Sequence, residues 1–599
     1  MKKGVLITIT IVFFLFHLRG LHHGLPSGEI KSLLFQNESE ASFFVTHIPQ
    51  VVTEDRRLVE EKYTIPETGI FNGDETYWRH LSSPLSVSTD GTTYEVPRYV
   101  FKWMRNNLMS STYPEENYVI HALSQMGLKP LNLNPHYFNF GGFYVYPLGA
   151  FLKLSSFVGL LHLTQDRSFY LEHPEEIGKL YWLGKIFLNL FFIGAVFIFY
   201  RITRRLYDNR AVAGWACLFY GLNPTLHVDT HFLKPHAYAQ FWLLLSVLFS
   251  VRFFQEKRPR DLYLSGLIAG LAGGAYLPSA LALLFLYFGA CAYFPKRDLP
   301  KIFFQGGLLC LAGYVLTNPY LFVSWEEAWV NHFSRAKANM QGIGFFDLER
   351  HGHLLLKTPV KVFGLFAFVV AGGAFYALWR GNALDRLLLA TATAFYVTTF
   401  RFLASRAPTN EAHNTLTVIP FLILLGVGGI ARLLNLQRTR KTCVAFLGIL
   451  LLCSTLQVVY YESLFNAPDP PIEAGRWINQ QVPSSASIGA FMGLDGYFWG
   501  FPVFSYGKYR FVFDSDRGLE NNKKAVPDYF VNVIHPIERF RLWRRYGTSN
   551  DPFLSSDLSE KYTLVKRFGQ SAPPILARFF RPELVPFLTE EIAIFKRRR

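Results

Sequence analysis

Two adjacent carboxylates, Glu115 and Glu116, follow Pro114 in residues 110–146, SSTYPEENYVIHALSQMGLKPLNLNPHYFNFGGFYVY. A carboxylate can take the proton from an attacking hydroxyl, provided that something holds it beside the reacting atom. On a helix, neighbouring residues diverge by about 100°, so the two acids do not form a dyad. One can face a reaction centre while the other serves the local structure, and Ser110, Ser111 and Thr112 just upstream fit a helix start. A loop rich in Asn, Gly and aromatics follows, with His136, Tyr137 and Asn139 as its chemically versatile members.

Cations expected to meet these acids come from three further polar stretches, one of them the loop 318–359 with Arg350. HVDTHFLKPHAYA, residues 227–239, carries Lys234 and His236; RFLASRAPTNEAHN, residues 401–414, carries Arg401, Arg406 and His413. A basic cluster facing a carboxylate suits a phosphate leaving group, whose charge the cations stabilise while the carboxylate deprotonates an alcohol. For any single Lys or Arg, interfacial anchoring is the plainer role. Glu29, in RGLHHGLPSGE, is a third acid placed close after an apolar run. His351 and His353, with Asp347 and Glu349, have metal-ligand chemistry, but alternating charge in a loop is the commoner explanation. GxSxG, P-loop, Rossmann and HExxH patterns are absent.

These polar stretches are embedded in a membrane protein. Half of the chain, 50%, is hydrophobic and only 17% is charged. Soluble domains usually carry roughly 25% charged residues. Long apolar runs recur between residues 180 and 461. Each approaches the roughly 20 residues that a helix needs to cross the hydrocarbon core. With the apolar start, residues 1–18, they make about eleven spans: 180–200, 211–226, 237–254, 262–276, 278–295, 301–317, 358–378, 386–402, 414–433 and 442–461. Parity orients them. If residues 143–163 do not span, the loops with Arg201, Arg204 and Arg205, with Lys257 and Arg258, and with Arg438 and Arg440 all lie inside, as the positive-inside rule demands. The run with Pro147 and Lys153 therefore reads as interfacial or re-entrant.

The fold expected is an α-helical multi-pass membrane protein divided into a first transmembrane helix (1–18), a long first outer loop (19–179), a helical bundle (180–461) and a small α/β domain (462–599). Residues 96–109 show a basic and aromatic amphipathy that suits a helix in the membrane interface, or else an ordinary surface helix. After the linker NAPDPP, the segments ASIGAF, RFVFD, YFVNVI, YTLVKRF and IAIFK read as strands and EAGRWINQQ as a helix. The net charge of +16 is largely a matter of inner loops beside anionic lipid, so a nucleic-acid partner is not implied. The five cysteines all lie in apolar runs and offer no disulfide framework.

The order of RGLHHGLPSGE, YPEENYVIHALSQM, LNLNPHYFNFGGFYVY, LNPTLHVDTHFLKPHAYAQFW and HNTLTVIPFLILL resembles the GT-C superfamily of membrane glycosyltransferases. The kin in question use polyprenyl-phosphate sugars and include the protein mannosyltransferases and aminoarabinose transferases. The likeness extends over most of residues 1–461 and implies a polyprenyl-phosphate sugar donor and a lipid, glycan or protein acceptor. It places the site on the periplasmic face of a bacterial inner membrane. It implies Glu115 as the base, with Glu29 as an alternative, and Glu116 as an orienter of acceptor or loop. Lys234, His236, Arg401 and His413 would then hold the phosphate. Two departures stand out: the usual Asp-Glu pair is Glu115-Glu116, and His236 stands where an Asp is common, leaving Asp229 upstream. In metal-dependent members such acids bind a divalent cation. The departures favour a metal-independent mechanism while leaving such a cation chemically compatible. A lipid or polysaccharide flippase, or a non-catalytic assembly protein of the same fold, are the alternatives.

Overall fold

In a computed structural model of the chain, the residues described are 15–62, 84–89, 92–128, 130–329, 359–360, 362–403, 415–435, 437–491, 501–514, 527–534, 561–569 and 591–598. The expected first span falls almost entirely outside them. The first loop folds as helices α1 (Gly28–Leu34), α2 (Glu38–Lys62), α3 (Arg98–Met109), α4 (Pro114–Gln125), α5 (Gly142–Phe157) and α6 (Arg167–Glu172). Hairpins β1–β2 (Pro84–Thr89, Thr92–Pro97) and β3–β4 (Gly127–Leu128, Leu131–Asn132) lie between them.

Helices then occupy every interval expected to span. They are α7 (Pro174–Tyr207), α8 (Arg210–Gly221), the short α9 (Pro224–Asp229), α10 (His236–Glu256), α11 (Pro259–Ala275), α12 (Ala282–Tyr293) and α13 (Leu299–Thr317), followed, after two single turns, by α14 (Phe366–Arg380), α15 (Ala383–Leu403), α16 (Ile419–Asn435) and α17 (Gln437–Phe465). Among the described residues, four stretches are long and apolar enough to cross a membrane by length and composition: Pro174–Tyr207, His236–Glu256, Lys296–Thr317 and Arg440–Gln481. Some of the other expected spans are short as single helices. Helix α8 has only 12 residues. At the rise of an α-helix that is about 18 Å, against a hydrocarbon core of about 30 Å. Helix α5, over the run expected not to span, has 16 residues and contains Pro147. Its reach is about 24 Å.

Apolar side chains left outside form stripes. Phe304, Leu308 and Leu311 on α13, and Ile449, Leu452, Leu456 and Val459 on α17, are exposed at helical spacing. Contiguous exposed apolar surface of this kind on span-length helices suits contact with lipid. Inside the bundle, small residues permit close approach. Gly266 and Gly270 of α11 face Gly306 and Cys310 of α13, and a Cβ on Gly270 would lie 2.0 Å from the Cys310 carbonyl oxygen.

Beyond the bundle, α18 (Pro470–Gln481) precedes a five-stranded mixed sheet ordered β6-β5-β7-β9-β8. Its strands are β5 (Ser487–Phe491), β6 (Arg510–Asp514), β7 (Tyr529–Ile534), β8 (Tyr562–Phe568) and β9 (Glu591–Arg597), at the five segments expected. β5 runs parallel to β6 and β7, and β9 antiparallel to β7 and β8. This sheet does not keep its core to itself. Ile488, Phe504 and Ile592 share one apolar cluster with Leu34, Phe44, Val100, Phe101 and Met104 of the first loop. The apolar side of helix α3, Trp103 and Leu108 included, is thus covered by protein. Its amphipathy was legible, but the surface that quenches it comes from the far end of the chain.

Candidate active site

Helix α4 starts where the sequence allows it. Pro114 occupies the first turn, where a missing N–H costs nothing, and Glu115 and Glu116 sit where the helix dipole favours negative charge. The lead-in is pinned on several sides. The Ser111 amide donates to Asn117 Oδ1 at 2.9 Å, the Asn117 amide returns to the Ser111 carbonyl at 3.1 Å, and the Tyr181 hydroxyl donates to Asn117 Oδ1 at 2.6 Å. The Thr112 amide donates to the Gly24 carbonyl at 2.9 Å.

The two acids part as helical geometry requires, yet both engage the loop between α9 and α10. Glu115, 30% exposed, lies 2.5 Å from the ammonium of Lys234, which is 1% exposed. That ammonium also donates to the Tyr113 hydroxyl and sits 4.4 Å from its ring centre. Glu116 is fully buried: its Oε1 accepts from the Leu233 amide at 2.9 Å and lies 3.2 Å from the buried Lys185 ammonium of α7. Burial, with the carboxylates of Glu115, Asp229 and Glu116 nearby, pushes the Tyr113 phenol well above its ordinary range, so it remains a neutral donor and acceptor. Ring stacking on Phe232, 4.2 Å between centroids, fixes its plane.

His236 heads α10 and is buried against Asp229, 3.1 Å away. Both Lys234 and His236 are thus committed to carboxylates of one cluster. Arg401 belongs to the end of α15, with its side chain outside what the structure describes; Arg406, His413 and the 347–353 cluster lie outside the described residues. Glu29 of α1 is drawn elsewhere, to Arg476 of α18.

The Asn- and Gly-rich loop docks on the ends of α11 and α13. The Gly141 amide donates to the Ala275 carbonyl, and the Gly142 amide to Asn318 Oδ1 at 2.8 Å. A Cβ on Gly141 would lie 1.8 Å from the Gly274 carbonyl oxygen, so the close approach requires glycine. His136 adopts φ 51 and pairs with Glu327 at 2.8 Å; Tyr137 stacks on Tyr118 of α4, 5.3 Å between centroids. Asn139 is half-buried in the same loop.

Beside α4 opens a cavity of about 1610 Å³. Ser110, Thr112, Asn117 and His121 line it, with Arg105, Lys153 and Arg167 adding positive charge and Asp469, Phe501 and Tyr506 closing it from the C-terminal side. Lys185 and Tyr113 escaped the sequence reading. A lone Lys in an otherwise apolar span is a signal by default, because an ionisable group there is expensive without a partner. Tyr113 carried no comparable signal.

No protein-family model matches the chain, and no curated protein matches it. Among solved structures, it is similar to the Archaeoglobus fulgidus oligosaccharyltransferase in complex with zinc and sulfate, at 14% identity and a TM-score of 0.41 over 68% of this chain. The match spans 61% of that protein's own length. It is also similar to ArnT from Cupriavidus metallidurans bound to undecaprenyl phosphate, at 12% identity and a TM-score of 0.40, covering 83% of this chain and 96% of that one. The apo state of the same ArnT gives 12% identity and a TM-score of 0.38, covering 80% and 93%. At identities of 12% and 14% these are resemblances in architecture.

Proposed function

We propose that this chain is a membrane glycosyltransferase that moves a sugar from a polyprenyl-phosphate donor to a hydroxyl acceptor, with inversion, on the periplasmic face of a bacterial inner membrane. The observation that carries the reading is the pair of Glu115 and Lys234, a partly exposed carboxylate backed by a buried ammonium, at the start of the helix beside which a large, mainly apolar cavity opens. Glu115 takes the acceptor's proton as the acceptor oxygen bonds to the anomeric carbon. The bond from that carbon to the phosphate oxygen breaks, and its electron pair leaves with the lipid phosphate. Lys234 fixes the base and supplies positive charge behind it. Glu116 and Lys185 hold the Leu233–Lys234 loop in place. Arg401 and His413 are assigned to the phosphate, and His136, Tyr137 and Asn139 to the edge of the acceptor path. The cavity, with its basic lining, suits an anionic acceptor.

The test is release of polyprenyl phosphate from a panel of polyprenyl-phosphate sugars by purified protein, with membrane extract as acceptor. Glu115→Gln is expected to lower turnover by about 10²–10⁴-fold, the usual contribution of a positioned base. Glu29→Gln is expected to leave it nearly intact, and loss in Glu29→Gln alone would transfer the role. Folded wild-type protein that releases nothing from any donor would overturn the reading.

A further inference from the structure

A second polar cluster lies apart from Glu115, where α9, the end of α17 and the turn after the first span meet. His227 and His231 stand four residues apart and converge on one carboxylate oxygen: His227 Nε2 is 3.1 Å and His231 Nε2 3.4 Å from Glu462 Oε2. The Arg19 carbonyl oxygen approaches His231 Nε2 at 3.0 Å. All three side chains are buried.

The hydrogen positions do not close without a cation. His231 Nδ1 lies 2.9 Å from the His227 carbonyl, which can only accept, so Nδ1 carries the hydrogen. The neutral ring then turns the lone pair of Nε2 towards two further acceptors, the Glu462 carboxylate and the Arg19 carbonyl. Something positive must stand there, either a proton or a metal ion. The surroundings are those that orient ligands: the Nδ1 hydrogen bond fixes the tautomer and plane of His231, and Asn466 Nδ2 holds the other carboxylate oxygen at 3.0 Å. The ligand atoms of the three side chains lie within 4.8 Å of one another. Separations of 3.0, 3.1 and 3.4 Å join the four candidate ligand atoms. A tetrahedron with bonds of about 2.0–2.1 Å has six edges of about 3.3 Å, and these separations fit three of them.

We propose that His227, His231 and Glu462, with the Arg19 carbonyl as a fourth ligand, form a structural site for a divalent transition-metal ion of the zinc type. Two imidazoles and a carboxylate are a donor set of that class, which leaves a fourth position for the carbonyl. The site is separate from the Glu115–Lys234 pair, since Asp229, between the two histidines, turns to His236. Its role is a clamp joining three segments distant in sequence. The ring of His17 packs edge-on to His227, 4.5 Å between centroids, and covers one side.

The experiment is elemental analysis of detergent-purified full-length protein after dialysis against zinc. It is joined by visible absorption of the cobalt-loaded form and thermal unfolding with and without chelator. Wild type is expected to keep about one ion per chain, to show four-coordinate cobalt bands, and to lose thermal stability with chelator. The His227→Ala/His231→Ala double variant should lose all three signals, and Glu462→Gln, which keeps size and packing, should weaken them if the double variant does not fold. Wild type with neither bound metal nor cobalt bands would overturn the site and leave a proton-bridged cluster. Metal retained undiminished in Glu462→Gln and in the folded double variant would overturn it equally.

Discussion

At Lys185 an ammonium sits in the middle of an apolar helix with the buried carboxylate of Glu116 as its ionic partner. Removing one member of such a pair leaves the other charged and dry, at a cost of about 3–5 kcal/mol, whereas removing both often costs far less. Lys185→Met is therefore expected to lower the unfolding temperature sharply, and Lys185→Met/Glu116→Gln to recover much of the loss, in a thermal melt of detergent-solubilised protein. A second residue-scale effect concerns His23. Burial first, and the Lys185 charge next, hold its imidazole at about 3, against an ordinary 6.5. The unfolded chain accepts this proton near pH 6.5 and the folded one only near 3, so stability from this group is complete above 6.5 and falls with acidification through that window. On going from about pH 7.5 to about pH 5, wild type should lose more stability than His23→Asn. Equal losses would show that the ring is not held neutral.

Elements were read from the sequence with uneven success, and the physics explains where. Helix positions from α7 to α17 follow from apolar run length, and β5 to β9 from short β-branched and aromatic segments, because both signals are local. The docking of α3 against Phe501 and Tyr506 is not local, so its apolar face was open to a lipid or a protein reading. The pairing of Glu115 with Lys234 was legible only as complementary chemistry on two loops; that Glu116 would take the Leu233 amide and Lys185 depended on how α4 meets α7. Helix contacts make a prediction of their own. A methyl on Gly270 must displace α13. Overpacking of this kind typically costs about 1–3 kcal/mol. Gly270→Ala should melt lower than Gly448→Ala, where a Cβ meets open space. A similar effect at both sites would count against tight packing of α11 on α13.

For the whole molecule, the consequence lies in the apolar cluster that the first loop shares with the C-terminal sheet. Asn107 of α3 donates to the Tyr506 hydroxyl, 399 residues onward, within this joint. The ion pair between Glu29 and Arg476 crosses the same boundary but is half exposed on both sides. Arg476→Ala is accordingly expected to cost only about 0.2–1 kcal/mol. Truncation after residue 466 should instead strip the cover from Phe101, Met104 and Leu108, and limited proteolysis of the truncated protein should cut the first loop well before the bundle. During biosynthesis the same arrangement imposes a wait. At about 5–20 residues per second, about 20–80 s separate the emergence of Asn107 from that of Tyr506. Throughout that interval α3 has left the ribosome with its greasy side unclaimed, while helix after helix is threaded into the bilayer. The nascent chain has to be chaperoned, or parked on the membrane surface, until its own last residues arrive to finish it.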